Sequence, residues 1–194
     1  DHEGGGNLEK SKVIQWFTDI CKSESRKIFH NAMYDVCWIR SMGIKINGEI
    51  VDTMIAASLV NENRYRYDLG SLGWDYLGQG KNESDLTTAA KEWGLDAKAD
   101  MWKLPAMYVG NYAERDAELT FNLWKEMTKE IWSQDLESVF ILERDLFPCL
   151  VDMRFLGVRV DVEKAHKLKN QLASEEKDLL LKVKKETGID TQIW

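Results

Sequence analysis

Three features of the sequence predict an α/β fold. The short apolar runs at Ile28-Phe29 and within Ile44–Val51 each give way at once to a helical pattern. The junction residues, His30-Asn31 and Asp52-Thr53, are types that stop a strand and start a helix. The later periodic stretches repeat at helical spacing, so helices outnumber strands. With 194 residues, the chain is long enough for one domain with a real core and an appendage.

The first residues include Gly4-Gly5-Gly6, which is loop composition. Asn7 is then expected to cap a helix over 8–22, with Val13, Phe17, Ile20 and Cys21 on its buried stripe. Residues 27–30 are expected to form a strand. Asn31 suits the N-cap of the following helix, on which Met33, Val36, Cys37 and Arg40 share a face. Gly43 suits its end. Asp35 falls in the second turn of that helix, just past the strand, where ligands sit in α/β sheets. A carboxylate there also simply answers the helix dipole.

Residues 44–51 return as extended chain, with Asn47-Gly48 as a turn. Asp52 reads as the cap of a helix over 54–60, with a site role as the alternative. Residues 61–68 include Arg64-Tyr65-Arg66-Tyr67. Such alternation can hold single-stranded nucleic acid by phosphate contact and stacking. The simpler reading is a solvated loop with both tyrosines tucked against the domain. A short helix over 69–77, a loop over 78–82, a helix over 84–93 and a linker over 98–103 come next.

Pro105 fits the first turn of a long helix carrying Tyr112 and Asp116. These two are four residues apart and share a face, within reach of a common ligand. Glu114 and Glu118 make this helix acidic throughout, so the pair alone is no site. Gly110 costs the helix about 1 kcal/mol relative to alanine. The character changes after residue 132, which divides the chain into 1–132 and 133–194. A helical pattern over 136–156 contains Pro148, where a kink is expected. A short extended piece over 157–161 precedes a charged helix over 162–186, whose alternating lysines and acids suit a solvated face.

The net charge of −7 argues against a broad electrostatic grip on duplex DNA, which needs a basic face. It is compatible with an acidic, metal-bearing cleft that takes a few nucleotides. Cys21, Cys37 and Cys149 lie far apart in apolar helical patterns and read as reduced, buried thiols. No run approaches the roughly 18–20 apolar residues of a membrane span, and no signal peptide is visible.

Asn31-Ala-Met-Tyr-Asp35, then Val51-Asp52-Thr53-Met54, then Tyr112-Ala-Glu-Arg-Asp116 form an ordered set. The set resembles the 3′→5′ exonuclease domain of family A (DNA polymerase I-like) DNA polymerases, of phage type. That domain is RNase H-like (DnaQ-like). Residues 143–161 resemble the segment leading into the polymerase domain and toward its thumb, so the resemblance covers nearly the whole chain. No polymerase motif appears between there and Trp194.

The resemblance implies two-metal-ion hydrolysis of DNA 3′-terminal phosphodiesters, releasing nucleoside monophosphates. Asp35 and Asp116 would be metal ligands, and hard oxygen donors suit Mg²⁺ or Mn²⁺. Tyr112 would orient the attacking water, and Asn31 and Tyr34 would contact the terminal nucleotides. Asn111 stands where the histidine subclass has its His, which marks the tyrosine (DEDDy) subclass. The implied partners are a single-stranded DNA 3′ end and a polymerase domain in the same full-length chain, with no membrane. The implied location is the cytoplasm of a bacterial or phage-infected cell.

The family's first motif is Asp-x-Glu on an apolar strand. Asp1-His2-Glu3 has that spacing but runs straight into glycines and stands too close to Asp35. The true motif is therefore expected before residue 1, on first strands that this chain lacks, and the chain alone is expected to be inactive. Two alternatives remain: a vestigial exonuclease domain that supports a polymerase, and an RNA-trimming relative of the same fold.

Overall fold

A computed structural model describes residues 8–191; Asp1, Glu3 and Asn7 lie outside the described residues. The chain divides into two compact units, at residues 1–155 and 156–194.

The first unit is built on a small parallel sheet. Strands β1 (Lys27–Phe29) and β2 (Ile50–Asp52) pair with Lys27 opposite Ile50, Ile28 opposite Val51 and Phe29 opposite Asp52. Parallel neighbours need a crossover, and helix α2 (Ala32–Ser41) supplies it. Before the sheet comes α1 (Lys10–Lys22), preceded by Glu9 at its N-cap, two residues later than expected from Asn7. After it come α3 (Thr53–Val60), α4 (Leu69–Leu77) and α5 (Ser84–Glu92). A single 3₁₀ turn over Met101–Lys103 leads to α6 (Ala106–Ser133). Pro105 is the N-cap of α6, where its missing N–H leaves no helical bond unmade. The unit ends in α7 (Glu137–Leu156), which runs through Pro148 without interruption.

The main core joins β2, α3, α4 and α6 around Val51, Leu72, Leu119, Leu123 and Met127, all nearly or wholly buried. A second cluster packs Ala32 and Val36 of α2 against Phe147 and Val151 of α7. Met33 and Cys37 border it, as their shared helical face predicts. Arg40 on the same helix pairs with Asp152. Thus α7 closes over the helix that carries Asp35. A third cluster, Leu86, Ala89, Ala90 and Leu104, seats α5 beside Tyr108 and Tyr112 of α6.

Several expectations change. Asn31 is no side-chain cap: its backbone is left-handed, at φ 62° and ψ 53°, and its side chain makes no capping bond. Asparagine tolerates that conformation, and here it turns consecutive N–H groups toward one carboxylate. Residues 44–49 stay irregular until Ile50, with Gly48 at φ 75° in the expected turn. A Cβ at Gly48 would stand 2.6 Å from the Ser25 carbonyl oxygen, so the turn requires glycine.

Of the two loop tyrosines, Tyr67 tucks in and donates its hydroxyl to the Asn61 carbonyl at 2.7 Å. Tyr65 does not; it is 96% exposed. Cys21 is buried, but Cys149 is exposed, because Phe147 and Val151 take the inward positions of α7. All three thiols are free.

In the second unit, residues 157–161 form no strand, and Asp161 caps α8 (Val162–Thr187) by accepting the Lys164 N–H at 2.9 Å. Along α8, Leu168, Leu172 and Leu179 are exposed. No described helix is long and apolar enough to cross a membrane.

Candidate active site at the ends of the strands

β1 ends at Phe29 and β2 at Asp52, and a cleft of about 770 Å³ opens beside these strand ends. Its walls include His30, Asn31, Asp35, Met54, Lys81 and Asp116. The edge of a parallel sheet where strands hand over to helices is the usual binding position in α/β folds. Three of the predicted site residues, Asn31, Asp35 and Asp116, are therefore brought together. Tyr112 lies one helical turn before Asp116, and Tyr34 is exposed on α2, its ring edge-on to Trp38 at 6.3 Å; neither lines the cleft wall.

Asp52 organises the strand ends beside the cleft. Its carboxylate accepts the N–H of Asn31 at 2.9 Å, of Ala32 at 2.7 Å and of Met54 at 2.8 Å. One buried side chain thus caps α2 and α3 together, which confirms its reading as a cap and extends it to a second helix. Thr53 reinforces the junction by donating its hydroxyl to the Phe29 carbonyl at 3.0 Å, and it also bonds His30 Nδ1 at 2.8 Å. Nε2 of His30 is buried without a well-formed hydrogen bond, although the Tyr67 carbonyl beside it favours the protonated ring. Burial outweighs the attraction of Asp52 and Tyr67, and the His30 pKa falls below its ordinary value.

Asp35 sits in the first turn of α2, half-buried. Burial pushes its pKa up, its own backbone N–H pulls it down, and the Asp52 charge adds to the rise. A carboxylate held against its preference for water, in a cleft, marks a functional candidate.

Asp116 is bound on one side only. Its Oδ2 accepts the Lys81 ammonium at 2.8 Å, while Oδ1 is buried with no partner. Lys81 also donates to the Tyr112 hydroxyl at 3.3 Å and lies 5.3 Å from the centre of that ring. Burial acts to lower the Lys81 pKa, but Asp116 and Tyr112 outweigh it and leave the ammonium firmly charged. Burial raises the Tyr112 pKa; Lys81 opposes this and Asp116 adds to it. Sequence reasoning missed Lys81, which lies 35 residues before Asp116 in a loop of ordinary composition.

The carboxylates of Asp35 and Asp116 offer oxygen donors, as hard cations require. The buried, unpartnered Oδ1 of Asp116 and the half-buried Asp35 fit such a group. Among the described residues, no group of three His, Cys, Asp or Glu side chains is close enough to hold an ion unaided.

Fold and cleft are those of an α/β domain with its site at the strand ends, and the comparison with known families says of which class. Residues 7–132 match the model of the 3′-5′ exonuclease family of the DNA polymerase A class, and the chain belongs to that family. It is similar to a DNA-directed DNA polymerase of Pseudomonas phage M6, at 34% identity over 96% of this chain and 29% of the relative. It is also similar to DNA polymerase DpoZ of Salmonella phage PMBT28, at 35% identity over 80% of this chain and 26% of that protein. A bacterial relative, DNA polymerase I of Chloroflexus aurantiacus, is 24% identical over 84% of this chain and 17% of its own length. The chain therefore spans less than a third of each of these relatives.

Proposed function

We propose that this chain is the proofreading exonuclease part of a DNA polymerase, removing nucleotides from a frayed, single-stranded DNA 3′ end. The observation that carries the reading is the meeting of Asp35 and Asp116, from separate helices, in one cleft where a buried carboxylate oxygen lacks a partner. Asp35 and Asp116 would hold divalent ions, Mg²⁺ or Mn²⁺, together with carboxylates from an Asp-x-Glu on strands preceding residue 1. Bound there, two such ions supply charge neutralisation at the phosphodiester and activation of a water.

The chain's own groups would do the rest. The Tyr112 hydroxyl, which accepts from the Lys81 ammonium, would orient the water. Asn31, on the cleft wall, and the exposed pair Tyr34–Trp38 would bind the terminal nucleotides, the aromatic rings by stacking. The two-stranded sheet and the exposed Trp16 and Ile20 of α1 support further strands packing on this unit. Residues 133–194 would lead toward a polymerase domain and its thumb, in the cytoplasm of a bacterial or phage-infected cell.

The deciding assay is degradation of a labelled single-stranded oligonucleotide with Mg²⁺ or Mn²⁺, on this chain and on a form extended upstream. Activity confined to the extended form and lost in Asp116→Asn supports the reading. Activity in neither form replaces it with a structural relic. Preference for RNA over DNA 3′ ends would assign the site to RNA trimming instead.

A further inference from the structure

We propose that Lys81 is a positioning residue of this site: an internal cation that holds Tyr112 and Asp116 in register and gives up Asp116 when a divalent cation arrives. The inference rests on the reading of Asp116 as a metal ligand and adds to it the identity of the group the metal displaces.

The geometry carries it in three steps. First, Lys81 Nζ bonds both functional groups of the α6 face at once, Asp116 Oδ2 at 2.8 Å and Tyr112 Oη at 3.3 Å. An ammonium has three donors and no acceptor, so this pairing fixes two side chains from one point. Second, the ammonium is the charge partner of Asp116 in the cleft, and each side chain of the pair is about a quarter exposed. A divalent ion needs the same carboxylate and repels the ammonium, since like charges a few ångströms apart near a protein surface oppose one another. Both cations cannot be accommodated at full strength.

Third, the lysine is delivered by a built loop. Residues 78–83 join α4 to α5, and Arg115 of α6 grips them through Gln79 Oε1 at 2.7 Å and the Gly80 carbonyl at 3.5 Å. Gly73 lets the loop backbone close in: a Cβ there would stand 2.6 Å from the Gln79 carbonyl oxygen. Lys81 therefore meets Asp116 from a loop held by Arg115, on the same helix that bears the carboxylate.

The test is Mn²⁺ titration of the chain without DNA, read by the electron paramagnetic resonance signal of free Mn²⁺. Asp116→Asn defines the binding that belongs to the site. Lys81→Gln should tighten that component by about threefold or more, since it removes the competing charge. Lys81→Met, which keeps most of the stem, should do the same, and Lys81→Arg should hold the wild-type affinity because it keeps the charge. Near-ultraviolet circular dichroism selects the variants that retain the native packing. If Asp116→Asn removes a binding component while both charge-free variants leave it unchanged or weaker, the role of Lys81 is overturned and the metal site stands. If Asp116→Asn leaves Mn²⁺ binding untouched, the metal reading itself fails, and this inference with it.

Discussion

The carboxylate of Asp52 accepts the backbone N–H of Ala32 at 2.7 Å, tying the end of the second strand to the first turn of the helix that carries Asp35. The same side chain holds Asn31 and Met54, so two helix starts and the Asp35 side of the cleft depend on one buried group. Asp52→Ala would strand three backbone donors. A lost helix cap costs about 1 kcal/mol and an unmet buried donor about 1–3 kcal/mol, so a loss of about 2–4 kcal/mol is expected. Asp52→Asn keeps an acceptor and should lose about 1 kcal/mol. Urea denaturation midpoints check both. Equal losses for the two variants would mean that charge, and not the capping geometry, is what matters.

Gly73 sits inside α4, where alanine would ordinarily stabilise a helix by about 1 kcal/mol. Here the added Cβ meets a backbone carbonyl, that of Gln79, and approaches Leu119 at 3.5 Å. The loop that carries Lys81 would have to move away from α4. Overpacking of this kind costs about 1–3 kcal/mol, which outweighs the propensity gain. Gly73→Ala is therefore expected to lower stability in thermal melts, whereas Gly43→Ala, with open space around its Cβ, suffers only from its φ of 75°.

Glu49 gives the fold an acid limit. It pairs with Arg26 beside the sheet and with Arg144 of α7. Burial acts to raise its pKa, but the two arginines outweigh burial and hold it below the ordinary value of 4.5. A depressed folded pKa means stability that is present above the ordinary glutamate range and lost as pH falls through the folded value. Glu49→Gln should therefore cost about 1 kcal/mol near neutrality, discounted for the exposure of Arg26, and nothing in strong acid. Denaturation midpoints from pH 7 to pH 3 test this; a constant difference across the range would assign the loss to packing.

The sequence shows the site's parts more readily than their mutual arrangement. The Asp35 helix, the Asp52 cap and the Tyr112–Asp116 face are local facts, set by turn residues and by the 3.6-residue repeat, and each forms as that reasoning has it, except that Asp35 falls in the first turn of its helix and not the second. Asn31 goes the other way. Its type predicts a side-chain cap, but a carboxylate 21 residues downstream does the capping and Asn31 contributes a left-handed backbone instead. Lys81 and Asp116 pair across 35 residues, and no local pattern encodes such a meeting. Cys149 shows the limit of periodicity: an apolar helical stretch offers more than one inward face, and α7 uses the one with Phe147 and Val151.

Tyr112, one helical turn before Asp116, offers the sharpest separation of roles. Its hydroxyl accepts from Lys81 at 3.3 Å, whereas the Lys81–Asp116 bond at 2.8 Å does not pass through it. Tyr112→Phe should therefore leave Mn²⁺ affinity unchanged and the fold intact, because the ring keeps its place beside Leu86 and Leu104. If the hydroxyl orients the attacking water, kcat for a single-stranded oligonucleotide should fall by about 10- to 100-fold with KM little changed, in a form with the complete metal site. Asp116→Asn should lose metal affinity and rate together. A raised KM at unchanged kcat in Tyr112→Phe would move this residue from water positioning to DNA binding.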